Sequence, residues 1–401
     1  MPQQAEALVE AEHLYKVFGD HPRVALDLLE QGYDKTTIFE RTGMTIGVRD
    51  ASFSVFRGEV FVVMGLSGSG KSTLLRLLNR LIEPTSGTVR IHGADVTAMD
   101  PAELIDLRRR EMSMVFQSFA LLPHQSVLEN AAFGLEVAGV GRAERHERAR
   151  AALEQVGLGP YAERLPEQLS GGMQQRVGLA RALAVDPALM LMDEAFSALD
   201  PLIRREMQDE LLRLQEESER TVVFISHDLD EALRIGDRIA IMEGGRILQV
   251  GTPAEILNHP ADDYVRSFFQ GVDVGHIFVA RDLARKDQVT FRQPPTGTMD
   301  KATLIRHLRE YDRTYAFVLD PEGRYVDAVS LYSLERVAGR EEAPLEEAYL
   351  GQGATKGDTS LEEVLRLLSY TEVPLPVVDD DRRLLGAIAG PTLLSTMARA
   401  R

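Results

Sequence analysis

Along the first third of the chain the apolar positions change period several times. Val9, Ala11 and Leu14 predict a strand leading to Phe18-Gly19. Two short helical patterns follow. The first has Asp20 as its cap, Pro22 early, Val24, Ala25, Leu28 and Leu29 on one face, and Gly32 as its stop; the second starts near Asp34 and runs through Ile38 and Phe39 to Gly43. Ala51, Phe53 and Val55 alternate with polar neighbours, as in a half-buried strand. Past a turn at Arg57-Gly58, Val60–Met64 is apolar throughout, which suits a strand covered on both faces of a parallel sheet. Met190–Met192 and Val222–Ile225 repeat that pattern, with a helical stretch over 201–219 between them. Alternating strand and helix predict an α/β domain. Residues 102–185 read as more helical and interrupt the sheet, and the pattern changes again near Asp273–Gly275, the expected boundary.

Beyond that boundary the chain repeats itself. Val318-Leu319-Asp320 aligns with Val377-Val378-Asp379 at an offset of 59, which also pairs Ala328 with Ala387, Val329 with Ile388 and Leu334 with Leu393. Each copy reads strand, acidic turn, strand, helix. Two modules at one offset can bury a shared face that neither buries alone.

Composition narrows the classes. The 401 residues are 44% hydrophobic and 27% charged, which excludes a collagen-like, low-complexity or wholly disordered chain. A net charge of -17 lacks the electropositive footprint of a nucleic-acid binder. With no cysteine there is neither a disulfide framework nor a thiolate metal site. The apolar runs are too short to span a bilayer, and no basic leader precedes Lys16, so we expect a soluble, intracellular chain whose membrane role is peripheral.

Candidate chemistry lies at the ends of the apolar strands. Gly65-Leu66-Ser67-Gly68-Ser69-Gly70-Lys71-Ser72-Thr73 follows one strand and opens a helix, the context a P-loop requires. Its backbone N–H groups and helix N-terminus would cradle phosphates, Lys71 would reach the β/γ-phosphates and Ser72 would ligate Mg²⁺. Met190–Met192 ends in Asp193 and Glu194. In a parallel sheet such carboxylates face the ligand, so Asp193 suits Mg²⁺ and Glu194 suits a general base for an attacking water.

The order of these motifs resembles the ATPase subunit of ATP-binding-cassette (ABC) transporters. Leu169-Ser170-Gly171-Gly172-Met173-Gln174-Gln175-Arg176 looks like that family's signature, whose Ser170, Gly171, Gly172 and Gln174 the resemblance assigns to the ATP site of a second copy. Gln117 resembles the Q-loop glutamine on Mg²⁺ and water, His227 the switch histidine on the γ-phosphate, and Ser197-Ala198-Leu199-Asp200 the D-loop. Phe18 resembles the aromatic that stacks on adenine, although about 30 extra residues separate it from the next strand.

The insertion His21–Gly43, the stretch Arg80–Thr85 and Met192–Ile203 narrow the likeness to ATP-binding subunits of glycine betaine/L-proline importers. The likeness runs over essentially the whole chain, and the C-terminal repeat resembles a tandem pair of CBS modules. The resemblance therefore implies an ABC-type nucleotide-binding domain over 1–275 with a helical subdomain near 102–185, followed by a smaller α+β tandem CBS domain over 276–401. It implies an ATPase (ATP + H2O to ADP + phosphate) using ATP and Mg²⁺, with Lys71, Gln117, Glu194 and His227 catalytic and Ser72, Gln117 and Asp193 at the metal. Its partners would be a second copy, a transmembrane permease and, indirectly, a substrate-binding protein, with no nucleic acid. It would sit peripherally on the cytoplasmic face of the inner membrane. Import of another amino acid or quaternary amine, or a soluble non-transport ABC ATPase, are the rival functions.

The repeat departs from a nucleotide-binding CBS pattern. Gly390-Pro391-Thr392 has the expected Thr without the Asp that grips a phosphate, and Ser330–Glu335 is no closer. With 17 basic and 20 acidic residues, 276–401 is nearly neutral, so ionic-strength sensing, nucleotide sensing and simple dimer stabilisation all stay open.

Overall fold

The structure, a computed structural model, describes residues 6–117, 120–197, 199–218, 220–269, 278–294, 300–340, 343–371, 373–390 and 393. The expected boundary at Asp273–Gly275, Ala198 of the D-loop stretch and Thr392 lie outside them. The chain divides into two compact units, Met1–Phe268 and Phe269–Arg401.

In the first unit the strands are β1 (Ala7–Phe18), β2 (Thr45–Phe56), β3 (Val60–Met64), β4 (Ser86–Ile91), β5 (Ala94–Asp95), β6 (Met112–Val115), β7 (Leu189–Asp193), β8 (Thr221–Ser226), β9 (Arg238–Glu243) and β10 (Arg246–Gly251). The three apolar runs become β3, β7 and β8, buried at every position. They are the centre of a six-stranded sheet, order β10-β9-β3-β8-β7-β6, parallel except for the edge strand β10. β6 lies inside the stretch read as helical: at four residues, only two of them fully buried, it is too short to show a strand period.

A second sheet, β2-β1-β4-β5, is antiparallel. The helices of this unit are α1 (Pro22–Glu30), α2 (Lys35–Thr42), α3 (Lys71–Leu78), α4 (Pro101–Arg110), α5 (Val127–Val137), α6 (Arg142–Gln155), α7 (Gly171–Ala184), α8 (Pro201–Ser218), α9 (Leu229–Ile235), α10 (Pro253–Asn258) and α11 (Asp263–Phe268). Leu74, Leu75, Leu77 and Leu78 of α3 share one core with residues of both sheets. Phe53 of β2 stacks on Phe61 of β3 with ring centroids 5.3 Å apart.

The two helical patterns after Phe18 are α1 and α2. Asp34 caps α2 by accepting from the Thr37 amide, and Gly43 ends it at φ 68°. Asp20 does not cap α1. That position belongs to His21, whose side chain makes no cap hydrogen bond, and Pro22 supplies the start. Phe18 pairs with Thr45 across the β1–β2 ladder, so the helices leave and return at neighbouring strand ends, and Ala25, Leu29 and Ile38 share a buried cluster with Val17 and Ile46.

The second unit holds α12 (Ala280–Leu283), β11 (Thr290–Arg292), α13 (Lys301–Glu310), β12 (Tyr315–Leu319), β13 (Tyr325–Ser330), α14 (Leu331–Ala338), β14 (Thr355–Lys356), α15 (Leu361–Leu368), β15 (Leu375–Val378) and β16 (Leu384–Ile388). It forms two three-stranded sheets, β11-β12-β13 and β14-β15-β16, each one parallel and one antiparallel pair. The strands and turns of the repeat match down to register, while the helix expected after the second pair lies almost wholly outside the described residues. Phe317 faces Ala328 as Pro376 faces Ala387, 59 residues later. Both antiparallel ladders shift at the same point, between Val318 and Leu319 and between Val377 and Val378. Both turns close alike, Asp320 N on Arg324 O and Asp379 N on Arg383 O, and the two turns meet at an Arg324–Arg383 bridge.

Candidate functional site

The P-loop runs from the end of β3 into α3, and its glycines answer close backbone approaches. A Cβ on Gly65 would stand 2.1 Å from the Met242 carbonyl oxygen; one on Gly70, at φ 105°, would stand 2.2 Å from that of Gly47. Leu66, Ser67 and Gly68 are exposed while Ser69 and Lys71 are buried. The Lys71 Nζ donates to the Gly65 and Leu66 carbonyls at 2.8 and 3.1 Å. Burial pushes its ammonium below the usual value, and the Glu194 and Asp193 carboxylates pull it back up. Among the described residues the buried Ser69 Oγ has no hydrogen-bond partner.

Across the sheet, β7 delivers Asp193 beside this loop. The Ser72 Oγ donates to Asp193 Oδ1 at 2.8 Å, and Arg76 of α3 stands 3.6 Å from Oδ2. Glu194, at φ 46°, leaves the strand in the left-handed region, a strained turn that redirects its side chain. There the Gln117 Nε2 donates to Glu194 Oε2 at 3.1 Å and the His227 Nδ1 lies 3.3 Å from the same oxygen. Residues 117, 194 and 227, far apart in sequence, thus converge on one carboxylate. A hydroxyl against a buried carboxylate is the hard-oxygen donor pair that suits Mg²⁺ alongside phosphate oxygens and water. Among the described residues no group of three or more His, Asp or Glu is placed to hold a metal ion by itself.

The Phe18 ring touches the P-loop neighbourhood through Gly47. A Cβ on Gly47 would stand 2.8 Å from Phe18 Cε2 and 3.1 Å from Thr73 Cγ2, so the insertion of α1 and α2 leaves Phe18 beside α3. The Lys16 ammonium lies 5.2 Å from the Phe18 ring centroid.

The signature stretch is a separate group. Ser170 caps α7 by accepting from the Met173 amide at 3.3 Å, Gly171 and Gly172 form its first turn, and Gln174 Nε2 donates back to the Pro166 and Leu169 carbonyls. A Cβ on Gly172 would stand 2.7 Å from Ile203 of α8. Among the described residues no hydrogen bond or ion pair joins this group to Lys71, Asp193 or Glu194. Ser197 Oγ donates to the Glu194 carbonyl at 2.9 Å, while Asp200 is exposed and accepts from the Leu202 amide.

Three contributors escaped the sequence reading. Gly245 N donates to Ser69 O at 2.8 Å and Gly245 O accepts from Arg49 N at 2.7 Å, so the β9–β10 turn supports the P-loop. The Gly244-Gly245 pair is a visible turn signal, but nothing in it names the loop it meets. Gly47 and Arg76 carry no local signal at all.

Two family models match: ABC transporter over residues 48–197 and CBS domain over 355–389. The chain is 52% identical over 394 residues, 98% of each chain, to the glycine betaine/proline betaine transport system ATP-binding protein ProV of Escherichia coli. It is 43% identical to the glycine betaine transport ATP-binding protein OpuAA of Bacillus subtilis, covering 97% of this chain and 92% of that one. The dimeric MJ0796, described as a bacterial ABC transporter cassette, matches at 32% identity with a TM-score of 0.51 over 61% of this chain and 97% of its own. The same cassette bound to ADP and Pi matches with a TM-score of 0.52. No helix among the described residues is long and apolar enough to cross a membrane. With its P-loop, its convergent carboxylate and this full-length similarity, the chain belongs to the ABC transporter family, among the ATP-binding proteins.

Proposed function

We propose that this chain hydrolyses ATP to power uptake of glycine betaine- or proline betaine-type solutes through a membrane permease. The observation that carries the reading is the convergence of Gln117 and His227 on Glu194, next to the Ser72–Asp193 pair and the P-loop lysine. In this reading the P-loop amides and Lys71 bind the phosphates, and Lys71 exchanges its loop carbonyls for phosphate oxygens. Phe18 offers a face to adenine. Ser72 and Asp193, with Gln117, would hold Mg²⁺, which when bound neutralises phosphate charge. Glu194 orients and deprotonates the attacking water, and His227 donates a hydrogen bond towards the γ-phosphate. Ser170, Gly171, Gly172 and Gln174 serve the site of a second copy, since they lie apart from this chain's own P-loop group. Ser197 and Asp200 link the two sites. Glycine betaine and proline betaine appear in the names of full-length relatives, which is why the substrate is assigned to that class. The chain acts peripherally, with a permease supplying the membrane path and a binding protein delivering solute. The duplicated second unit tunes transport to ionic conditions.

Labelled glycine betaine uptake at low and high osmolarity tests this, in cells carrying the full chain, Glu194→Gln, or a chain lacking 276–401. We expect uptake that rises with osmolarity, vanishes in Glu194→Gln while ATP still binds, and loses its osmotic dependence in the truncation. Normal uptake in Glu194→Gln would remove the general-base assignment. An unchanged osmotic profile in the truncated chain would leave the second unit as scaffolding.

A further inference from the structure

Behind the Glu194–His227 contact lies a ring of interactions that passes through Arg204, a residue of α8 with no part in the reading above. The ring starts at Glu194, whose backbone carbonyl accepts from Ser197 Oγ at 2.9 Å. The Ser197 carbonyl, together with that of Leu199, accepts from Arg204 Nη2, both at 3.3 Å. Arg204 Nη1 lies 3.1 Å from Asp228 Oδ2. Asp228 Oδ1 accepts from the Asp230 and Glu231 amides, which fixes the start of α9. Asp228 is bonded to His227, whose Nδ1 returns to Glu194 Oε2 at 3.3 Å.

We propose that Arg204 is a positioning residue for ATP hydrolysis: it ties the segment after Glu194 to the segment carrying His227, and so sets the distance between the two side chains. The inference rests on the roles of Glu194 and His227 proposed above. Three features favour positioning over a simple surface ion pair. The side chain is partly buried, with an exposure of 26%, where a charged contact is less screened. It uses a planar fork on a carboxylate at one side and two backbone carbonyls at the other, a task a point-charge ammonium performs poorly. Its buried Nε has no partner among the described residues, so the group is held there by the acceptors around Nη1 and Nη2 rather than by optimal satisfaction of every donor. Asp228 is likewise shared, with one oxygen on α9 and the other on Arg204. The His227 side chain is half exposed, and the backbone that carries it runs directly into Asp228, which Arg204 and the start of α9 both hold.

The test is steady-state ATPase kinetics of the complete transporter carrying Arg204→Met, Arg204→Lys, Asp228→Asn or Arg204→Met with Asp228→Asn. Arg204→Met is expected to lower kcat by about ten-fold or more with KM for ATP changed less than about two-fold, because the residue touches neither nucleotide nor phosphate. Arg204→Lys should recover part of the loss by keeping the Asp228 contact. The double variant should be no slower than the slower single variant, as expected of two members of one linkage. An unchanged kcat in Arg204→Met, a KM that rises as far as kcat falls, or single-variant losses that multiply would each overturn the proposal. If Arg204→Met does not fold, the same split read in Arg204→Lys and Asp228→Asn decides it. Failure of the underlying site reading shows separately, as undiminished turnover in Glu194→Gln.

Discussion

Gly70 in the first unit and Gly386 in the second meet the same constraint. A Cβ at Gly70 would stand 2.2 Å from the Gly47 carbonyl oxygen, and one at Gly386 would stand 2.5 Å from that of Arg285. Around Gly70 the close approach shapes the loop that we propose binds phosphate, where the buried Ser69 Oγ has no partner among the described residues. Around Gly386 it lets Ala387 and Arg285 exchange a pair of backbone hydrogen bonds, and the polar groups are consumed by the fold. Tight backbone packing alone therefore does not mark a site. What separates the regions is whether the neighbouring polar groups are left for a ligand, as with the partnerless Ser69 Oγ, or paired internally.

The largest expected effect comes from breaking the first of these. Gly70→Ala must shift the Gly47 backbone or the loop itself, so ATP affinity should fall by at least ~100-fold, about 2.7 kcal/mol, in a fluorescent-nucleotide titration. Gly386→Val should instead destabilise the second unit by about 1–3 kcal/mol through overpacking. ATP binding by the first unit should stay intact, which calorimetry and the same titration would read separately. Equal losses of nucleotide affinity in the two variants would erase the distinction.

The smallest effect sharpens the comparison through pH. Burial raises the Glu231 carboxyl in the first unit, so between its ordinary pKa and the raised native one the folded chain keeps a proton that the unfolded chain releases. That contribution to stability is present at low pH and is lost as pH rises through the window. In the second unit the side-chain hydrogen bond from Arg366 lowers the Glu363 carboxyl, so its contribution is present above the ordinary value and is lost as pH falls. Urea unfolding between about pH 4 and pH 7 should therefore show Glu231→Gln removing a fall in stability with rising pH and Glu363→Gln removing a rise. Shifts of the same sign would show that the two carboxyls do not differ as their surroundings imply.

These contrasts also explain what could be read in the chain. β3, β7 and β8 were legible because a strand buried on both faces must be apolar throughout. The residues at their ends were legible because phosphate chemistry demands glycine, lysine and carboxylate in a strand–loop–helix context. The duplicated ladders were legible because a period of two preserves register across a copy. β4, β5 and β6 were not, being short or half exposed. Gly47, Gly245, Arg76 and Arg204 were not either, since each acts on a segment remote in the chain: Gly47 on Gly70, Gly245 on Ser69, Arg76 on Asp193, Arg204 on Asp228. Tertiary neighbours of that kind leave no local pattern. Phe18 is intermediate: its residue type was telling, but only the pairing of Phe18 with Thr45 explains how it stays near Thr73.

That pairing reaches further. Because the two strand ends lie side by side, the 26 positions between Phe18 and Thr45 could be replaced by a tight turn, at the cost of uncovering Val17 and Ile46. An element attached this way can be gained or lost in a single genetic event. The same geometry makes the site a natural graft point: a reporter domain inserted there would sit next to Phe18, near Thr73 of α3, while leaving the hairpin's connectivity intact.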